Sequence, residues 1–139
     1  VPTTTHRETI AAPADSVWNL VADFGSNTWH DLEVTCEGEG VGAVRKVTMA
    51  NGVVTEECEV HEPSTRTIGY TILDNNPFPA SDYHGRIAIA PVDDASCELT
   101  WSARYEPAAG ADPAQLDADL SRFLKGASRA LKRYAESAA

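Results

Sequence analysis

Three cysteines in 139 residues are too few, and odd in number, for a disulfide framework. Cys36, Cys58 and Cys97 are widely spaced and no CxxC pair occurs, which argues against a zinc knuckle and fits reduced thiols in a cytosol. No apolar run approaches the ~18 residues that cross a bilayer, so membrane insertion is not expected. The leading VPTTTHRET lacks the basic-then-apolar layout of a secretory signal. There is no GxSxG, and no Cys–His pair at a spacing that supports nucleophilic catalysis. The four histidines (His6, His30, His61, His84) show no metal-ligand spacing, so neither metal nor cofactor is expected. Positive charge is also scarce: 11 Lys and Arg stand against 21 Asp and Glu, a net of −10. The last 28 residues are near neutral, with five basic and four acidic side chains, leaving about −11 on the first 111. Such a surface repels phosphate backbones and anionic headgroups, so nucleic acid is not an expected partner.

What is present suits one globular domain over residues 1–139, with 42% hydrophobic and 23% charged residues. After a short strand, HRETI, the stretch APADSVWNLVADF has helical spacing. Pro13 suits the first turn, Asp15 complements the dipole, and Val17, Leu20, Val21 and Phe24 form one stripe that Gly25 closes. NTWHD is too short for more than one further helical turn. Six strand-like segments follow: LEVTCEG, AVRKVTMA, VVTEECEVHE, RTIGYTIL, SDYHGRIAIAPV and CELTWSARYE. Their short, turn-rich separators favour an antiparallel meander. The chain closes with a long helix opened by Asp112, Pro113 and a capping-box Gln115. Leu116, Leu120, Phe123, Leu124, Ala127, Leu131 and Tyr134 share one face, over roughly 39 Å at ~1.5 Å per residue. A helix that long must lie across the sheet.

Phasing each strand by its bulky apolar positions predicts which side chains turn toward that helix. They are Arg45, Val47 and Met49; then Val54, Glu56, Cys58 and Val60; then Ile68, Tyr70 and Ile72; then Tyr83, Gly85, Ile87 and Ile89; and last Leu99, Trp101, Ala103 and Tyr105. His6, His61 and His84 are expected at the surface. A two-residue Asn51-Gly52 turn would set Met49 opposite Val54 and Val47 opposite Glu56, making Arg45 and Glu56 diagonal neighbours within side-chain reach. The phase that buries the carboxylate therefore buries a guanidinium beside it. Two readings stand: a structural ion pair, or a polar end to an otherwise apolar cavity. The inward polar tips of Tyr70, Tyr83 and Trp101 weigh toward the second, since such groups need partners.

APADSVWNLVADFGSNTWHD, VGAVRKVTM, NGVVTEEC, TIGYTI, SDYHGRI, LTWSARYEP and the terminal helix, in that order, resemble the polyketide cyclase/dehydrase branch of the START-like, birch-allergen-like (SRPBCC) superfamily. The resemblance spans nearly the whole chain. Departures are small: Leu32 follows WHD with no nearby proline, and Glu57 and Glu59 replace a more usual basic and apolar pair. The resemblance implies an α+β helix-grip fold, with a seven-stranded antiparallel sheet around the C-terminal helix, two short helices after strand 1, and a deep apolar cavity. It weighs toward Arg45 and Glu56 lining that cavity, with the structural ion pair still open, and implies that TWHD, with Trp29 and His30, resembles its lid. Function is not fixed by it, because carriers, receptors, cyclases and chaperone activators share the fold.

A pocket with neither metal nor nucleophile suits cyclisation or dehydration of a polyketide-like or aromatic compound. That chemistry needs a base for an acidic α-proton and donors for the enolate oxygen. Glu56 is the candidate base; Arg45, Tyr70 and Tyr83 are candidate enolate donors. Burial and Arg45 act on Glu56 in opposite senses, so base and ion-pair partner compete as assignments. Trp29, His30, Tyr83, Trp101, Tyr105 and Phe123 are the candidate ligand-binding residues. The alternatives are a non-catalytic carrier of a hydrophobic ligand or lipid, and a chaperone-associated module working through its surface. The expected partner is a small hydrophobic molecule, and the chain a cytoplasmic monomer or homodimer.

Overall fold

The computed structural model of the chain describes residues 2–138. In order they form β1 (Thr3–Ile10), α1 (Ala14–Ala22), β2 (Val34–Glu37), β3 (Val44–Met49), β4 (Gly52–Glu62), a 3₁₀ turn (Pro63–Thr65), β5 (Thr67–Asp74), β6 (Ala80–Asp93), β7 (Ser96–Pro107) and α2 (Pro113–Ala138). The strands make one antiparallel sheet in the order β1-β7-β6-β5-β4-β3-β2. From β2 to β7 this is the expected meander. β1 adds beyond β7, so the first two strands occupy opposite edges. α2 lies against β1 and β7, and α1 packs on β6, β7 and α2. This is the helix-grip α+β architecture. Among the described residues no helix is long and apolar enough to cross a membrane.

Local sequence accounts for the helices. Pro13 caps α1 through its carbonyl, which accepts from Ser16 and Val17 N–H at 3.0 and 3.2 Å. Ala14, Val17, Trp18 and Val21 face the core. The 27–31 stretch forms turns rather than a second short helix. Its one helical-type contact is His30 N–H to the Asn27 carbonyl at 3.2 Å, since too few residues lie between α1 and β2 to add more. Asp112 Oδ1 accepts from Ala114 N–H at 3.0 Å and opens α2. The Gln115 amide donates to Asp119 at 2.9 Å, so the capping box is not made.

α2 has two working stripes. Leu116, Leu120, Leu124, Ser128, Leu131 and Ala135 are buried against the core. Phe123, Gly126, Ala127 and Ala130 turn instead toward a space above the sheet. Tyr134 is 37% exposed, because the drift of 3.6-residue spacing brings Ala135 over the core in its place.

Two details of the sheet differ from expectation. The hairpin loop is Ala50-Asn51, with Gly52 already paired to Met49. Gly52 takes φ +135°, which a side chain would oppose, so the strand can begin there. Partners move by two residues, Val47 facing Val54 and Arg45 facing Glu56 directly. A shift of two keeps every side chain on its predicted face. Further along β4 a bulge separates Cys58 from Val60 and reverses the phase. Val60 then packs on the outer face over Gly69. His61 turns under α1, its Nε2–H donating to the Ala22 carbonyl at 3.2 Å and its ring 5.4 Å from Trp18. Neither His6 nor His84 is free at the surface: each is half-buried, with Glu8 and with Glu59 and Asp82 respectively.

Candidate functional site

Arg45 and Glu56 meet at the centre of the β3–β4 pair. Arg45 Nε donates to Glu56 Oε1 at 2.8 Å, and Glu56 is 6% exposed. The remainder of the guanidinium is also held. One terminal nitrogen donates to the Phe24 carbonyl at 3.1 Å. The Phe24 ring lies 3.9 Å below the guanidinium and the Tyr70 ring 5.4 Å away. Two aromatic faces and a carbonyl stabilise the cation where solvent is largely excluded. Phe24 was legible in the sequence as core; that it clamps Arg45 from the end of α1 was not.

Tyr70 reaches the same region because its partner across the sheet is Gly85. A Cβ at Gly85 would overlap the Tyr70 ring, so the glycine clears the ring's path. The Tyr70 hydroxyl accepts from Trp101 Nε1–H at 3.2 Å. Burial, and next the Glu56 charge, push the Tyr70 hydroxyl far above its usual range. Burial, and next Tyr70 itself, do the same to Tyr83. Both phenols stay protonated and act as donors at any working pH.

This polar group lies in the wall of a cavity of about 380 Å³ between α2 and the sheet, within the span of small-molecule sites. Val47, Met49, Val54, Ile68, Ile72 and Ile87 floor it, and Phe123, Gly126, Ala127 and Ala130 roof it. Trp29 and His30 border it from the turn after α1. Trp29 packs edge-on to Trp101, with centroids 6.2 Å apart, and to His30 at 4.7 Å. Phe78, from a turn that the sequence shows only as a separator, closes the side by packing on Phe123 at 5.5 Å. Its position between two prolines was the available signal. Burial, and then the positive charge of Arg45, hold the His30 imidazole below its usual range.

Of the nine candidate site residues, Trp29, His30, Arg45, Glu56, Tyr70, Tyr83, Trp101 and Phe123 border this space. Tyr105 does not. It points inward as its phase requires, but lies in the core between β1 and α2, with its hydroxyl 3.2 Å from Thr4 Oγ1. Inward phase alone cannot separate core from cavity lining.

A seven-stranded sheet gripping a terminal helix over a partly lined hollow defines a class of fold. The chain belongs to the family described as polyketide cyclase/dehydrase and lipid transport, whose model matches residues 2–136. No curated protein matches the sequence. Among solved structures, an uncharacterised protein from Bacillus thuringiensis is 22% identical over 96% of this chain and 98% of its own, with a TM-score of 0.81. The protein XoxI from Bacillus cereus is 22% identical over 97% and 96%, TM-score 0.75. A point mutant of norcoclaurine synthase from Thalictrum flavum, solved with a transition-state analogue, is 18% identical over 96% and 93%, TM-score 0.72. At these identities the likeness is one of fold.

Proposed function

We propose that the chain binds a small hydrophobic, polyketide-like or aromatic molecule between α2 and the sheet, and catalyses its cyclisation or dehydration by acid–base chemistry. One observation carries the proposal: a buried carboxylate, a guanidinium and two phenols meet in the wall of a mostly apolar cavity. Glu56 takes an acidic proton from a carbon between two carbonyls, leaving an enolate. Arg45, through N–H groups not spent on Glu56 or Phe24, and Tyr70, through the O–H it keeps after accepting from Trp101 and Tyr83, hold the enolate oxygen. The enolate carbon attacks a further carbonyl of the same chain, the ring closes, and the alkoxide so formed takes back the proton held by Glu56 to become a hydroxyl. Loss of the new hydroxyl with a neighbouring proton releases water. Trp29, Trp101 and Phe123 keep the flat substrate in place, and Trp101 and Tyr83 orient Tyr70 through their hydrogen bonds to its oxygen.

A second reading is favoured by the ion pair itself. Glu56 Oε1 is already occupied by Arg45, which suits a carrier whose polar pole only anchors its cargo, and lipid transport is part of the family's description. Glu56→Gln, assayed with a poly-β-ketone thioester, separates the two. The enzyme reading expects turnover to fall at least a hundredfold with affinity kept within about threefold. Turnover unchanged in the folded variant, or absent in the parent protein that nonetheless binds, overturns it in favour of the carrier. Three free thiols, two of them buried, support a reducing compartment such as the cytosol. A monomer or homodimer is the assembly we propose.

A further inference from the structure

His30 has a feature that its place in the cavity wall does not require. The Leu32 backbone N–H donates to His30 Nδ1 at 3.2 Å. A backbone N–H has only a proton to offer, so the ring nitrogen facing it must be bare. With the ring neutral, the proton sits on Nε2. Among the described residues no protein acceptor meets that N–H, and the ring borders the cavity. His30 is only partly buried, so water can satisfy that N–H while the cavity is empty, but a ligand that displaces the water and offers no acceptor would leave it unpaired.

The remaining walls indicate what that acceptor is. The charged side chains bordering the space are Asp23, Arg45, Glu56 and Arg122, two of each sign. Glu56 is matched by Arg45 at 2.8 Å and Arg122 by Asp119 at 3.2 Å. An anionic head group would lose its hydration there and meet no net positive charge. The donors left for a ligand are His30 Nε2–H, the spare Arg45 N–H groups and the Tyr70 O–H, since Tyr83 donates to Tyr70; the acceptors beside them are the carboxylate oxygens of Asp23 and Glu56 Oε2.

We propose that His30, fixed as its Nε2–H tautomer by the Leu32 N–H, donates a hydrogen bond to a neutral acceptor oxygen (a ketone, ester or amide carbonyl) on an apolar ligand in this cavity. The proposal rests on the cavity reading above and assigns the polar end of the ligand.

Two measurements test it. Two-bond ¹⁵N–¹H spectra of the ring near neutral pH report the tautomer directly, with Nε2–H expected. Fluorescence titration then uses prodan, a neutral naphthyl ketone whose emission reports hydrogen bonding to its carbonyl, beside the anionic anilinonaphthalene sulfonate. Prodan should bind more tightly than the sulfonate and shift the His30 Nε2 resonance. His30→Phe should weaken prodan about fivefold, the loss of one hydrogen bond, and move its emission to the blue. His30→Gln, which keeps a donor, should restore most of the affinity. An Nδ1–H tautomer, an unmoved Nε2 resonance on prodan binding, equal prodan affinity in His30→Phe, or preference for the sulfonate overturns the assignment of His30. The tautomer and the Nε2 shift are read on the unmutated protein, so they decide the matter even if His30→Phe does not fold. Absence of any prodan binding to the unmutated protein overturns the cavity reading as well.

Discussion

The Arg45–Glu56 pair permits a quantitative test of whether it exists for the fold or for the cavity. Severing a buried ion pair from one side costs about 3–5 kcal/mol, because the survivor is left unpaired. The two halves of this pair are not equally supported. In Glu56→Leu the guanidinium keeps the Phe24 carbonyl and the Phe24 and Tyr70 rings, and its side chain is 21% exposed. That variant should lose about 2–3 kcal/mol, below the usual range. In Arg45→Leu the carboxylate loses its hydrogen-bonded partner at 6% exposure, so about 3–5 kcal/mol is expected. Replacing both with leucine removes the charges together and should return stability to within about 1 kcal/mol of the parent. Urea denaturation followed by Trp fluorescence measures all four corners of the cycle, with coupling of at least about 3 kcal/mol expected. Prodan affinity in the folded double variant should nonetheless fall about tenfold, since the polar part of the cavity wall is gone. Additive single variants, or a larger loss for Glu56→Leu than for Arg45→Leu, would refute the energetics. A stable double variant with full ligand affinity would return the pair to a purely structural role.

Three further outcomes follow from single contacts. Gly85→Ala puts a methyl group where the Tyr70 ring lies, so a loss of about 2–4 kcal/mol is expected in denaturation. In a Tyr70→Leu background the added cost should fall below about 1 kcal/mol, and an unchanged cost there would refute the clash. The Ser128 hydroxyl is fully buried in α2 with no hydrogen-bond partner among the described residues, so Ser128→Ala should stabilise by about 1–2 kcal/mol, and destabilisation would show that the hydroxyl is satisfied. Burial pulls the His84 imidazole down, but the hydrogen bonds it donates to Glu59 and Asp82 outweigh it and raise it above its usual range. Its contribution is therefore complete below the unfolded value of about 6.5 and is lost as pH rises through the folded value. The stability gap between the protein and His84→Gln should be full below about pH 6.5 and shrink as pH rises above it, and a constant gap would contradict the cluster.

Much of the architecture was legible because side-chain alternation has a period of two. Met49, Val54, Ile68, Tyr83 and Leu99 each fixed the phase of a strand, and the phase placed Arg45 and Glu56 together on the inner face. The register error at the hairpin did no harm, since moving the loop from Asn51-Gly52 to Ala50-Asn51 shifts partners by an even number. The bulge after Cys58 shifts by an odd number and reversed Val60 and His61. Nothing in CEVHE announces it; its consequence is seen only in three dimensions, where His61 reaches the Ala22 carbonyl at the end of α1. Tyr105 shows the other limit: alternation puts a residue inside, while only the third dimension decides whether packing or space meets it there. The lone glycine of DYHGRI was a stronger signal than its inward position suggested. A glycine within an apolar strand marks a close approach, and here Tyr70 makes it.

The most direct test is to map where a small hydrophobic molecule sits. Backbone and indole N–H resonances are followed while prodan is added to the unmutated protein. Changes are expected at the indoles of Trp29 and Trp101 and at Tyr70, Phe123 and Ala127, all bordering the cavity. The outer-face residues Lys46, Glu57 and Arg104 should stay fixed. Changes confined to that outer face, or none at saturating probe, would contradict the claim that this hollow is a binding site.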